Sequence, residues 1–260
     1  MSKVICIDPG HGGIDPGGGS NKHFKEKDMV LKISLEQKRH FERNGIKVVM
    51  TRTNDEYLDS IPRTNRVKTS GAKYCISNHL NAGGGEGAET IYSIHASSTI
   101  ATGVLNALVA QGAKKRRVFN RRGTNGDWYY MHRMTGSVST VIVEYGFADN
   151  SNDTDKVLND WKRYAEAVAK YYIEHVFKQK YIPEKGGVQV ANDKGPETLN
   201  LPQWQKSEMA KVYKLARGKG VFSSEEHEKN VLAGDMPIDQ AIFLMTAIAG
   251  AALNGGKRVQ

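Results

Sequence analysis

The apolar positions of the first two thirds of the chain follow two alternating rhythms. Val4-Ile5-Cys6-Ile7 is a short, largely β-branched run, which predicts a buried strand that Pro9-Gly10 stops. Met29, Ile33, Leu35 and Phe41 then recur at roughly helical spacing as far as Arg43, and Asn44-Gly45 reads as a C-cap. The alternation continues with a second strand at Ile46–Met50, a short helix over Arg63–Ser70 and a third strand at Tyr74–Ser77. Glu89–Ile94 predicts a fourth strand, and Ser97 or Ser98 caps a helix reaching about Ala113. Val138–Val143 predicts the last buried strand; a short helix at Asp155–Leu158 and a long closing helix at Tyr164–Val176 follow. Strands alternating with helices predict an α/β fold: a mostly parallel or mixed twisted sheet with helices on both faces.

Beyond this region the pattern changes. Pro183, Gly186, Gly187, Gly195 and Pro196 lie among charges and predict a linker, set at residues 181–198. The resulting organisation is a larger α/β domain over 1–180 and a small all-α C-terminal domain over 199–260. Three helices are expected there: Pro202 to Arg217, Ser223-Ser224-Glu225-Glu226 to about Gly234, and Pro237 to Leu253. This helical domain either binds a sugar polymer, with Trp204, Tyr213 and Phe222 as stacking candidates, or self-associates through its apolar third helix.

Composition narrows the function classes. The chain has 260 residues, enough for one large domain and a small one, and only two cysteines, Cys6 and Cys75, both inside predicted buried strands. That excludes a disulfide framework and fits a reducing compartment. The opening apolar run is too short for a signal-peptide core, and Ala241–Leu253 is too short to span a bilayer. Cytoplasmic synthesis without membrane insertion is the expectation. The net charge is +9, with 10 basic and 9 acidic residues from position 183 onward, so the excess lies in the first part. An anionic partner follows, whether nucleic acid, membrane surface or wall polymer. Lys114-Lys115-Arg116-Arg117 and Arg121-Arg122 read as a basic loop, either solvated or in contact with substrate.

Three predicted strands end in ligand-type residues: His11 after the first, His79 after the third and Glu144 after the last. A parallel sheet puts these ends on one edge, and Glu26, at the start of the first helix, returns to that edge. Two imidazoles, one carboxylate and an open position make a catalytic zinc site, and a second glutamate suits metal-assisted hydrolysis. Spacing alone does not say which glutamate binds the ion. Asp8 and Asp15 are candidates for steadying the imidazoles, or for turn formation. Asn81 is a candidate hydrogen-bond partner near the site, or equally a loop-stabilising Asn. His23 reads as a surface residue and His132 as structural.

The motifs together resemble the zinc-dependent N-acetylmuramoyl-L-alanine amidases of the third amidase type. Asp8-Pro9-Gly10-His11-Gly12-Gly13 with Asp15-Pro16-Gly17 resembles the first motif of that family, and Glu26-Lys27-Asp28 its Glu-Lys-Asp motif. Thr51-Arg52 with Asp55 and Arg63 resembles its second loop. Ser77-Asn78-His79-Leu80-Asn81-Ala82 and Val143-Glu144-Tyr145-Gly146-Phe147 complete the set, in order, over about residues 3–177. The resemblance implies one zinc ion held by His11, Glu26 and His79, with Glu144 as catalytic base. It implies cleavage of peptidoglycan at the amide between N-acetylmuramic acid and L-alanine. Without a leader, such a wall hydrolase resembles phage endolysins, which wait in the cytoplasm for a holin; a mother-cell sporulation lysin is a second setting. Two readings compete: a zinc peptidase cutting the stem or cross-bridge, and a non-catalytic basic protein that binds nucleic acid. The second rests on charge alone, so nucleic acid is not expected as a partner.

Overall fold

In the computed structural model, residues 3–184, 203–219, 226–233 and Met236 are described. The expected first strand is β1, Val4–Pro9, and its side chains separate by parity. Ile5 and Ile7 enter one apolar cluster and Cys6 enters another, so the strand is buried on both faces. Helix α1 (Glu26–Arg43), strand β2 (Lys47–Met50), helix α2 (Ser60–Lys68) and strand β3 (Tyr74–Asn81) follow. Then come β4 (Ala88–Tyr92), α3 (Thr99–Val109), β5 (Lys115–Phe119) and the small hairpin of β6 (Arg122–Gly123) and β7 (Gly126–Asp127). The short helix α4 (Tyr130–Arg133), β8 (Ser139–Phe147) and α5 (Ser151–Tyr171) complete this part, α5 running on into a π-helical turn, Tyr172–Val176.

The six-stranded sheet has the order β2-β1-β3-β8-β4-β5. β2, β1, β3 and β8 are parallel. β4 runs against β8, and β5 runs with β4. The sheet is therefore mixed, and β4 and β5 begin at the edge where the other strands finish. One face packs on α1, α3 and α5, through residues such as Ile7, Ile76, Val143, Leu105 and Val168. The other packs around Cys6, Cys75, Ile142, Val67 and Met131, beneath α2 and α4. Both cysteines are buried and free.

Two expectations change. Lys115–Phe119, part of the basic stretch read as a loop, is an edge strand. Glu89 on β4 pairs with Arg116 and Arg117, which removes the cost of laying these charges along a sheet. The two closing helices are one, α5. Val157, Tyr164, Ala165 and Val168 form a continuous buried stripe, and Asn150 caps the helix by accepting from the Asp153 amide at 3.2 Å. Residues 159–163, polar apart from Trp161, lie within that helix and do not interrupt it.

The chain divides into two compact units, Met1–Gly187 and Val188–Gln260. Residues 181–184, expected in the linker, dock on the first unit. Tyr181 is buried, its hydroxyl lies 2.7 Å from His40 Nδ1, and the Ile182 amide donates to Asn44 Oδ1 at 2.6 Å. In the second unit, α6 (Gln203–Gly218) and α7 (Glu226–Ala233) stand where the first two tail helices were expected. Tyr213 is fully buried, so it supplies core and no sugar platform. Phe222 and the third helix lie outside the described residues. Among the described residues, no helix is long and apolar enough to cross a membrane.

Candidate metal and catalytic site

At the end of β1 the chain turns sharply, and His11 takes a left-handed backbone conformation with φ 58°. Two buried arginines hold this turn. Arg63 donates to the carbonyls of Pro9 and His11 at 2.8 and 2.6 Å, and Arg52 to those of Pro9 and Gly10 at 3.0 and 2.7 Å. Asp8 neutralises Arg63 at 2.8 Å and also accepts from Thr51 and Ser77. Asp8 therefore acts on the backbone that presents His11 and not on an imidazole. Asp15 performs both roles weighed for it: Oδ2 lies 2.8 Å from His11 Nδ1, and Oδ1 accepts from the Gly17 amide at 3.1 Å. With its Nδ1 proton given to Asp15, His11 turns the Nε2 lone pair toward the site.

Glu26, the first residue of α1, enters from the other side. Its Oε1 lies 3.0 Å from His11 Nε2 and 3.1 Å from His79 Nδ1, and those nitrogens are 3.2 Å apart. The amides of Gly19 and Leu80 fix the carboxylate at 2.7 and 2.9 Å. Four ligands about 2.0–2.1 Å from a zinc ion would stand about 3.3 Å from one another in a tetrahedron. The triangle of His11, Glu26 and His79 thus has the donor types and spacing of a metal site with one open position. Gly10 is required beside it: a Cβ there would lie 2.2 Å from Cε1 of the His79 ring.

The electrostatics of the two glutamates diverge. Burial opposes ionisation of Glu26, but hydrogen bonds from both histidines and their charges outweigh it, holding this carboxyl well below the usual range. Burial is also the largest influence on Glu144, and it pushes that carboxyl up to about 7, the charge of Glu26 adding to it and the histidines opposing. Glu144 is the register partner of His79 on the neighbouring strand, so both project from one face. Its Oε2 is buried and has no hydrogen-bond partner among the described residues. Glu144, His11 and His79 line a cleft of about 360 Å³, together with Tyr57, Ser60, Tyr129 and Met131.

Metal binding at this cluster is expected to release a proton. Burial disfavours the charged form of His11, but Glu26 and Asp15 outweigh it and raise its pKa to about 9. Below that value an incoming ion displaces the proton, so affinity should climb with pH up to about 9. Calorimetry in two buffers of different ionisation heat reads the release directly; an affinity indifferent to pH over that range would contradict it.

All four predicted residues, His11, Glu26, His79 and Glu144, meet at the sheet edge. Asn81 donates to Glu89 Oε2 at 3.1 Å. Glu89 itself, 1% exposed and opposite Glu144 in register, was not singled out from sequence. A carboxylate opening the predicted strand Glu89–Ile94 is the available signal. His132 is buried and its pKa falls to about 4 through burial, which fits a structural role. His23 is exposed, and its backbone amide donates to Asn21 Oδ1.

With this geometry established, comparison with known proteins places the chain. The profile of the N-acetylmuramoyl-L-alanine amidase family matches residues 5–175. The chain belongs to that family. It is 33% identical over 155 residues to the N-acetylmuramoyl-L-alanine amidase CwlM of Bacillus licheniformis, covering 59% of this chain and 60% of that protein. It is also 33% identical over 157 residues to the sporulation-specific N-acetylmuramoyl-L-alanine amidase of Bacillus subtilis (strain 168), covering 59% of each. The chain thus spans about 60% of the length of these curated relatives. Among solved structures, an N-acetylmuramoyl-L-alanine amidase from Clostridium difficile 630 superposes with a TM-score of 0.61 at 25% identity, over 69% of this chain and 99% of that one.

Proposed function

We propose that this chain is a zinc-dependent N-acetylmuramoyl-L-alanine amidase, which hydrolyses the amide joining N-acetylmuramic acid to L-alanine in bacterial peptidoglycan. One observation carries the reading: three ligand atoms 3.0–3.2 Å apart, with an unpartnered glutamate on the adjoining strand. Family membership supports the bond assignment. His11, Glu26 and His79 hold the ion. Bound zinc supplies Lewis acidity, which acidifies water and polarises the scissile carbonyl. Glu26, kept ionised by its partners, serves as ligand and not as base. Glu144, whose pKa lies at about 7, takes a proton from the attacking water and returns it to the leaving amine. Asp15 keeps the His11 ring in the tautomer that presents Nε2.

Zymography on purified cell walls tests the reading, with mass spectrometry of the products. Clearing should vanish with chelator and return with zinc, and the released peptides should begin with L-alanine. Clearing that persists in chelator removes the zinc, and cuts inside the stem or cross-bridge make the chain a peptidase. The second unit we assign to wall binding, in the manner of a lysin that frees phage from its host. The likeness to a sporulation-specific amidase supports mother-cell lysis as a second setting. Residues 1–187 alone should digest purified walls at an unchanged rate but clear intact cells more slowly. The cut falls after 187 because residues 181–184 dock on the first unit. Equal turbidity loss with the full chain would remove the wall-binding role.

A further inference from the structure

The basic stretch that the reaction leaves unused adjoins the site. His79 on β3, Glu144 on β8, Glu89 on β4 and Arg117 on β5 are successive register partners, a single row across the sheet. With strands about 4.8 Å apart, the Arg117 backbone stands about 10 Å from that of Glu144. Arg117 Nε donates to the buried Glu89 at 2.8 Å, and its guanidinium lies 4.0 Å from the centre of the Phe119 ring. The Arg121 guanidinium lies 3.9 Å from the centre of the Trp128 ring. Both cations are thus held on aromatic faces. The Arg117 side chain is half exposed, and among the described residues only its Nε is hydrogen bonded. Arg116 helps to neutralise Glu89, so the pair Arg117 and Arg121 keeps net positive charge. Tyr129, a wall of the cleft, links them to the site: the charges of Glu144, Arg121 and Arg117 all reach its phenol.

We propose that Arg117 and Arg121 form a carboxylate-binding subsite for the peptide portion of the substrate. The inference rests on the amidase reading, which also sets its direction. In an intact muramoyl amide the sugar side carries no charge at the cut, so the anion these cations meet belongs to the peptide. An extended peptide advances about 3.3–3.6 Å per residue, so a span of about 10 Å places that carboxylate roughly three residues from the scissile amide. Planar guanidinium groups fixed in advance suit bidentate carboxylate binding.

The test uses the full chain and two soluble muramoyl tripeptides, one with a free carboxylate on its third residue and one with a carboxamide there. The acid should have a KM about tenfold or more below that of the amide, since charge-assisted bonds exceed neutral ones. Arg121→Gln should erase most of that preference through KM, with kcat moving less than about threefold, and Arg121→Lys should restore part of it. Arg121 does not pair with Glu89, so this variant keeps the buried carboxylate partnered; Arg117→Gln should act in the same direction. A preference untouched by Arg121→Gln, or an equal loss for both compounds, overturns the subsite. Calorimetric binding of the acid compound reads the subsite without turnover. Arginine-dependent binding with no cleavage of either compound would sustain the subsite and overturn the amidase reading.

Discussion

Replacing Glu144 by glutamine is expected to lower kcat by about 10²–10⁴-fold while metal content is unchanged. Glutamine keeps the shape of the side chain but cannot take a proton. The metal triangle consists of His11, Glu26 and His79 alone, so the variant should still bind one ion. The wild-type carboxyl also carries a stability cost. Its folded-state pKa of about 7 exceeds the ordinary glutamate value, so ionisation favours the unfolded chain. That penalty begins as pH rises past the unfolded value and is complete above pH 7. In metal-free protein at about pH 8, Glu144→Gln should therefore melt higher than the wild type, by an amount bounded at about 3 kcal/mol. Below about pH 4 the two should converge. Inactivity with intact metal and raised thermal stability is the signature of a base held in an unfavourable place for its function. Loss of metal in this variant would mean that Glu144 and Glu26 have exchanged roles.

The second large effect is expected from a single methyl group. In Gly10→Ala the new Cβ would stand 2.2, 2.6 and 2.7 Å from Cε1, Nε2 and Nδ1 of His79. The backbone cannot retreat, because the Gly10 amide donates to the Asn78 carbonyl at 3.0 Å and the Gly10 carbonyl accepts from Arg52 at 2.7 Å. The imidazole must move instead, by about 1 Å, whereas metal–ligand distances tolerate about 0.2 Å. Metal affinity should fall about 100-fold or more, beyond the range for disturbing a supporting contact. Activity should fall in parallel and recover in part with excess zinc, a rescue that Glu144→Gln should not show. Retention of full metal content after dialysis would contradict the close approach of Gly10 and His79.

The four residues of the candidate site were legible because each follows a recognisable boundary. His11 and His79 follow β-branched or apolar runs with two or three residues between, Glu144 ends another, and Glu26 opens a helix. A sheet edge gathers such positions whatever the details of packing. Strand direction was less accessible. Nothing in Ala88–Tyr92 records that it runs against β8, because a short buried run carries no mark of direction. Lys115–Phe119 looked like a loop because its charges are balanced by Glu89, more than twenty residues earlier in the chain. The Asp8–Arg63 pair is hidden for the same reason: its members are 55 residues apart and meet only in the folded protein. α5 was divided because its polar segment was read without the face it turns outward.

The strand made last in the sheet is also an inner one. β8 lies between β3 and β4, so the sheet cannot zip up in the order in which the ribosome delivers it. β3 and β4 must keep their places on either side of a gap until residues 139–147 emerge, a non-local step that slows closure. The three candidate metal ligands are all made by position 79, whereas Glu144, the proposed proton acceptor, arrives with the insertion that closes the gap. Under the proposed assignment, hydrolytic competence appears only when the sheet is finished.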